Sequence, residues 1–236
     1  MYKLETHLHT LGRSPCAVAD EKTIAKIYRD EGYDGIVCTN HFNRYLCDHY
    51  YAKGSEQGNV QFFLDGYRAL KNECSRYDID VFLGLELLTD ELTYYKPEPP
   101  HAETMIFGID EQWLLSNPYT LFKLSLAKLS ELCRKQGWIL SHAHPFRNGI
   151  DTQNPAYLQA SEAYNGNPYA DNHNDLAAKF AQDNNLIAMC GSDFHAKGYE
   201  GCGIYLQSPV NDNVQLTDEL RKRKHKLFNR QGILDI

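Results

Sequence analysis

The sequence predicts an α/β protein built as a barrel of parallel strands with helices between them. Three observations predict it. Short apolar runs, each the length of one strand, alternate along the chain with segments whose apolar residues recur at helical spacing, the order expected of a parallel sheet. Histidines and carboxylates stand at or just past the ends of those apolar runs. In a parallel α/β barrel the C-terminal ends of all strands meet on one face, so such residues would converge. The chain has 236 residues, enough for one barrel, and it contains no linker, internal repeat or low-complexity segment. A single domain over residues 1–236 is the simplest organisation.

The elements follow in order. KLETHLH alternates as a strand does. Residues 20–32 read as a helix, with Ile24, Ile27 and Tyr28 on one face, Asp20 or Glu21 near its start and Gly32 at its end. GIVCTN is a short apolar strand, and the polar, aromatic stretch after His41 reads as a long loop. A second helix runs from about Val60 to Tyr77 and carries Phe62, Phe63, Tyr67, Leu70 and Cys74. VFLGLEL and ETMIFGI are the third and fourth strands; between them lies TYYKPEPPHA, whose three prolines mark a loop. Residues 119–136 form the clearest helical pattern, with Phe122, Leu126, Leu129 and Cys133 in one stripe and Gly137 as the stop. WILSHAH and ASEAYNG are the fifth and sixth strands. A helix over 171–184 turns Leu176, Ala177, Phe180 and Ala181 inward, and LIAMCGSD is the seventh strand. GCGIYLQ offers an eighth, and residues 216–224 a last, basic helix.

Composition narrows the class. Hydrophobic residues make up 42% and charged residues 23%, as in an ordinary globular protein. The formal net charge of −7 argues against an extended duplex nucleic-acid surface, which needs many Lys and Arg to neutralise phosphates. It leaves room for a small phosphorylated substrate, because bound divalent cations supply positive charge locally. The seven cysteines include no CxxC pair, and Cys38, Cys133 and Cys190 lie in apolar runs, the pattern of reduced, buried thiols. Lys3, Glu5, His7, His9 and Arg13 interrupt the N-terminal stretch, and no run approaches the length of a membrane span. A cytoplasmic protein is expected.

The chemistry lies in the histidines and carboxylates. His7 and His9 are two residues apart, so in a strand both imidazoles point the same way. Asp193 and His195 repeat that spacing, after Gly191 and Ser192. Glu86 lies inside the apolar run LGLELL, where a bare carboxylate is costly and must be paired or coordinated. His142 and His144 form a third HxH, fixed by Pro145. His41 ends its own strand. Each alone has an ordinary reading: a polar residue at a strand end, a turn Asp, a core ion pair. Together they are the donor set of transition metals such as Zn, Fe and Mn. Arg147 is placed to anchor an anionic group, since its planar fork matches phosphate. His49, His173 and His225 have no such neighbours and read as surface residues. The aromatic loop after His41 (Phe42, Tyr45, Tyr50, Tyr51) either stacks a base or simply packs. No GxxxxGK[ST], GxGxxG or GxSxG motif is present.

In this order the motifs HLH (7–9), GYDGIVCTNH (32–41), GLE (84–86), AHPFR (143–147) and GSDFH (191–195) resemble the polymerase and histidinol phosphatase (PHP) family, over residues 4 to about 200. The resemblance implies a distorted, seven-stranded, TIM-like β/α barrel with two or three metal ions (Zn, Fe or Mn) at its C-terminal face. It implies that His7, His9, Glu86 and Asp193 hold one ion. Glu86 would bridge to a second, held also by His144 and by Glu103, with His101 as the rival. His41 and His195 would hold a third, and Asp20 or Cys16 is the candidate for its remaining ligand. His142 becomes a supporting or substrate-binding residue, beside Arg147. One position departs from the pattern: Asn40 stands where the family has Asp, removing a charge next to His41.

The expected activity is metal-dependent hydrolysis of a small phosphomonoester or nucleotide through a metal-activated water. Two alternatives stand beside it. One is a nuclease on short single-stranded nucleic acid, using aromatic stacking. The other is a metal-binding regulatory module without catalysis.

Overall fold

The computed structural model describes residues 1–93, 97 and 100–236. In chain order the elements are β1 (Tyr2–Leu8), α1 (Glu21–Asp30), β2 (Gly35–Cys38), β3 (His41–Asn43), α2 (Glu56–Cys74), β4 (Asp80–Leu88), β5 (Thr104–Phe107) and α3 (Glu111–Ser116). They continue with α4 (Leu126–Gln136), β6 (Ile139–His142), β7 (Ala160–Asn165), α5 (Asn174–Asp183), β8 (Ile187–Gly191), β9 (Gly203–Leu206), α6 (Asn213–Arg221), β10 (Lys226–Asn229) and β11 (Gly232–Ile233).

All the strands join one sheet, in the order β11-β10-β9-β1-β2-β4-β5-β6-β7-β8, with β3 paired to β4. The sheet curls until β8 returns to β1. His9 N–H donates to Phe194 O (3.0 Å) and Phe194 N–H to His7 O (3.1 Å), just past the ends of both strands. Gly191 permits this approach: a Cβ there would stand 2.5 Å from His7 Cβ and 2.9 Å from its backbone nitrogen.

The sheet is not parallel throughout. β5 runs antiparallel to both β4 and β6, and β9 is antiparallel to β1 and to β10. An antiparallel return needs no crossover helix, and none lies between β4 and β5 among the described residues. The reversal matters for the site. It brings the start of β5 to the face where β4 and β6 end, so Thr104 pairs with Leu87 and with His142. GCGIYLQ forms β9, an edge extension beside β1 rather than a further parallel strand. The short β10 and β11, and the six-residue α3 capped by Asp110, were not foreseen.

Helix ends follow local chemistry. The Asp20 carboxylate accepts from Thr23 N–H and starts α1, which buries Ile24, Ala25 and Tyr28. The helix expected over 119–136 is split. Leu121–Lys123 is a 3₁₀ turn, Leu124 is extended, and the Ser125 side chain caps α4 by accepting from Lys128 N–H. Gly137 closes α4 in the left-handed conformation, as the sequence predicts. α5 begins later than expected, and Leu176 is exposed while Ala177 and Ala181 are buried. The stretch after His41 is more regular than a loop: it holds β3 and a π turn, Leu46–Tyr51. The expected proline loop over 93–102 lies in part outside the described residues. No helix among the described residues is long and apolar enough to cross a membrane.

Candidate metal centre

The strand ends deliver eight side chains to one place. His7 lies in β1 and His9 just beyond it; His41 opens β3; Glu86 is in β4; Glu103 precedes β5; His144 follows β6; Asp193 and His195 follow β8. Six of these groups arrive at the C-terminal ends of strands or in the turns after them, and His41 opens β3 just past the end of β2. Glu103 arrives at a strand start, because β5 is reversed. His144 and Asp193 hold positive φ values of 28° and 50°, a conformation that non-glycine residues adopt at a cost and that re-aims the side chain.

Spacing is the decisive property of the group. Two donors on one tetrahedral or octahedral ion, with bonds near 2.1 Å, lie roughly 3.0–3.4 Å apart. His7 Nε2 is 3.2 Å from His9 Nε2, 3.3 Å from Glu86 Oε1 and 3.4 Å from Asp193 Oδ1. His9 Nε2 is 3.3 Å from Glu86 Oε2 and 3.2 Å from Asp193 Oδ1. His144 Nε2 is 3.0 Å from Glu86 Oε1 and 3.3 Å from Glu103 Oε2, while His41 Nδ1 is 2.8 Å from Glu86 Oε2 and 3.6 Å from Glu103 Oε1. Glu86 thus stands between sets of donors, with Oε1 facing His7 and His144 and Oε2 facing His9 and His41. His9, His41 and His195 form a further set whose donor atoms lie within 4.8 Å of one another. Glu86 Oε2 and His41 Nδ1 are buried and face each other at 2.8 Å without a well-aligned hydrogen bond, as two donors to a shared cation would. The residues present therefore fit divalent metal ions.

The charges are arranged to match. Burial alone would raise Glu86, yet His41 and His7 hold it well below the usual carboxylate range. Asp193 is likewise held low against burial by His7, His9 and Arg147. His7 is raised, its burial outweighed by Glu162, Glu86 and Asp193. His9 is lowered by burial and by the neighbouring His41 and His195, which keeps it neutral and able to ligate. Glu103 is raised by burial and by Glu86. Protons on some of these groups balance the carboxylates, and a bound cation would take their place.

No family model matches the chain, and no curated protein matches it. Solved structures do. One is a two-domain protein from Bacteroides vulgatus that contains a predicted PHP-like metal-dependent phosphoesterase. It is 15% identical and has a TM-score of 0.65; the similarity covers 98% of this chain and 66% of that one, slightly under two thirds of its length. The chain has a PHP-like fold. A second structure, an amidohydrolase from Chromobacterium violaceum with bound sulfate and no metal, is also 15% identical, with a TM-score of 0.57 and coverage of 97% and 98% of the two chains. The fold is thus of the PHP and amidohydrolase type.

Within this fold a layer of polar groups, unnoticed in the sequence, orients the histidines. Glu162 in β7 is fully buried; its Oε1 is 2.9 Å from His7 Nδ1 and its Oε2 accepts from His144 N–H at 2.8 Å. With His7 Nδ1 protonated by this contact, Nε2 is free to face the centre. Ser14 Oγ does the same for His9 Nδ1, at 2.9 Å, and donates in turn to Asn40 Oδ1 at 3.1 Å. Asn40 therefore supports His9 through Ser14 and also accepts from Thr10 N–H. Glu162 carried a signal that was missed: like Glu86, it is a carboxylate within a strand sequence. Glu162→Gln is expected to weaken metal affinity by roughly 10–100-fold, measured by competition with a chelator. Unchanged affinity would show that His7 needs no such partner.

Other expected residues fare differently. Arg147 reaches the centre: its guanidinium donates to Asp193 Oδ2 (2.6 Å), Asn165 Oδ1 (3.1 Å) and Asn172 Oδ1 (2.8 Å). Asp20 does not, because it caps α1. His101 belongs to none of the donor sets among the described residues; its backbone pairs with Asp151. Cys16, on an exposed loop, contacts both His195 and His41; against burial, these contacts bring its thiol down to about 7. His225 is not a free surface residue, since its Nε2 is 2.8 Å from Ala188 O.

His142 is a correction. A substrate contact there has no surface to use, for the side chain is fully buried with Nδ1 turned to Ala143 O at 3.0 Å. Burial and His144 push it down to about 4. Since the unfolded chain binds this proton near pH 6.5, the unfolded state takes up more protons between pH 6.5 and 4. Stability from this group is full above pH 6.5 and falls with the pH, by about 3 kcal/mol once the pH is below 4. The metal-free His142→Asn protein should lose less stability than the parent between pH 7 and 4 in urea titrations. Parallel curves would refute this assignment.

Proposed function

We propose that this chain is a metal-dependent phosphoesterase, a hydrolase acting on a small phosphorylated substrate such as a phosphomonoester or nucleotide. The observation that carries the reading is the convergence of His7, His9, His41, Glu86, Glu103, His144, Asp193 and His195 at ligand-to-ligand spacing. In this reading residues 1–236 form a single domain. Strands β1, β2 and β4–β8 make a distorted seven-stranded barrel with the metal site on the face where the strands end.

His7, His9, Glu86 and Asp193 would hold one ion, Glu86, Glu103 and His144 a second, and His41 and His195 a third, with Zn, Fe and Mn all suited to such donors. Bound divalent ions supply Lewis acidity toward phosphoryl oxygens and lower the pKa of a water at the centre. Glu86, between two donor sets, fixes their separation. Glu162 and Ser14 hold His7 and His9 in register, so little reorganisation is needed during reaction. Arg147, anchored on Asp193 and two asparagines beside the centre, orients an anionic substrate group there. Tyr51 and Phe42 are buried, so the aromatic loop offers only Tyr45 and Tyr50 for stacking, which favours a small substrate over an oligonucleotide. All seven cysteines are free, in keeping with a cytoplasmic, reducing setting.

The test is metal analysis of the purified protein together with turnover of an aryl phosphate, a mononucleotide and a short oligonucleotide, each with added Mn²⁺, Fe²⁺ or Zn²⁺. Bound metal and faster turnover of the monophosphates are expected. Preference for the oligonucleotide would favour a nuclease. Bound metal with no hydrolysis would favour a regulatory module, and neither metal nor hydrolysis would overturn the proposal altogether.

A further inference from the structure

We propose that Tyr169 and Tyr199 form an aromatic wall beside the metal centre, and that the substrate is a phosphoester whose alcohol part carries a planar ring. The inference rests on the phosphoesterase reading above and deepens it by naming the class of leaving group and two residues that select it.

Tyr169 is 83% exposed, more than any other large hydrophobic side chain among the described residues. An exposed aromatic on a free loop would mean little. This one stands on a loop built into the centre. Asn167 Nδ2 donates to Asp193 Oδ2 at 3.1 Å, and Asn167 Oδ1 accepts from Tyr169 N–H at 3.0 Å. Asn172, on the far side of the tyrosine, accepts from Arg147 Nε at 2.8 Å and donates to Ala170 O at 3.4 Å. The loop therefore rides on Asp193 and Arg147, and these bonds leave its tip little freedom. A ring held in this way is organised before a ligand arrives, so a group stacking on it gives up less entropy.

Tyr199 joins Tyr169 to the centre. Its ring centroid is 5.3 Å from that of Tyr169 and 5.6 Å from that of His195, with the planes tilted by 44° and 52°. The three rings lead outward: His195 is 12% exposed, Tyr199 is partly buried and Tyr169 stands in solvent. The backbone on either side of Tyr199 is pinned, since Arg230 donates to Gly198 O at 2.7 Å and to Glu200 O at 2.8 Å. Simple packing of the two tyrosines on each other would bury Tyr169, and it does not.

The chemistry follows from the shared frame. Arg147 faces an anionic group, and the loop bonded to Arg147 presents the tyrosine. One rigid unit thus meets both ends of a phosphoester: the phosphoryl group at the metal centre and the alcohol part on the wall. Aromatic faces hold a planar ring by offset or tilted stacking, a gain that an alkyl group lacks. A ring attached directly to phosphorus meets Tyr199 first, and one attached through several atoms reaches Tyr169.

Equilibrium binding to the full chain loaded with Mn²⁺ or Zn²⁺, measured by calorimetry, tests this without turnover. Phosphonates are the ligands, because their carbon–phosphorus bond resists hydrolysis. Methylphosphonate has no ring, phenylphosphonate carries one on phosphorus, and the phosphonate analogue of a mononucleotide carries one on a sugar. A ring-bearing ligand is expected to bind roughly fivefold more tightly than methylphosphonate, or better. Whichever of the two gains more tells an aryl group from a nucleoside. Tyr169→Ala should cut the ratio by roughly fivefold or more, and Tyr169→Phe should keep it. Equal affinity for all three ligands, or a preference untouched by Tyr169→Ala, would overturn the proposal. Equal affinities in a protein that hydrolyses phosphoesters would leave the activity and remove the aromatic wall. A preference that depends on Tyr169 in a protein that hydrolyses none would keep the wall and remove the proposed activity.

Discussion

Glu86→Ala is expected to reduce phosphoester turnover by roughly 10³-fold or more, the loss of at least about 4 kcal/mol of transition-state stabilisation. The reason is position. Oε1 of this one carboxylate approaches His7 and His144, and Oε2 approaches His9 and His41, so its removal dismantles two donor sets together. It also removes one of the carboxylates that hold His7 and His41 raised inside the protein. Metal content should fall by at least one ion per chain, read by elemental analysis, with far-ultraviolet circular dichroism unchanged. Substrate-saturation curves should show the loss in kcat. A variant that keeps parental metal content and turnover would show that Glu86 is a core ion pair and not a ligand.

The largest effect on stability is expected at Glu5. Its carboxylate is fully buried, and it accepts from Thr6 N–H (2.9 Å), His7 N–H (2.9 Å), Tyr28 OH (2.8 Å), Ser192 N–H (3.0 Å) and Ser192 Oγ (2.5 Å). It therefore knots β1, α1 and the turn after β8 directly beneath His7 and Asp193. Glu5→Ala strands several buried donors at once, at a cost of about 3–5 kcal/mol. For a chain of this size each kcal/mol lowers Tm by roughly 2–4 °C, so a fall of roughly 6–20 °C is expected by calorimetry. Burial raises the Glu5 carboxyl despite its hydrogen bonds, so part of the ionised group's desolvation cost is saved in Glu5→Gln. That variant should lose less than Glu5→Ala. Equal Tm values for parent and Glu5→Ala would show that the knot is dispensable.

Much of the site was legible because strand geometry is a sequence property. The two-residue spacings of His7 with His9 and of Asp193 with His195 place each pair on one side of the chain, and an acid inside LGLELL has to meet something charged. The supporting roles were not legible: Glu162 showed itself as a carboxylate within a strand sequence, but not what it would hold. Glu162, Ser14 and Glu5 act through contacts with residues near in space and, for Glu162 and the Ser192 contacts of Glu5, more than 150 positions away in sequence. A short polar residue in a strand or loop carries no local mark of such a role. His142 and His144 share one motif, and only packing separates them: one imidazole is sealed in the core, the other turned to Glu86 and Glu103.

By itself, the sequence determined that this chain alternates strands and helices and carries imidazoles and carboxylates at the strand ends, because hydrophobic period and residue chemistry are local. The tertiary structure alone decided that β5 runs backwards and so delivers Glu103, that Asp20 caps a helix while Cys16 meets His41 and His195, and that Glu162 and Ser14 orient the histidines. Strand direction and side-chain partners are set by how the whole sheet closes, with the turn after β8 meeting the end of β1, and no local stretch of residues contains that information.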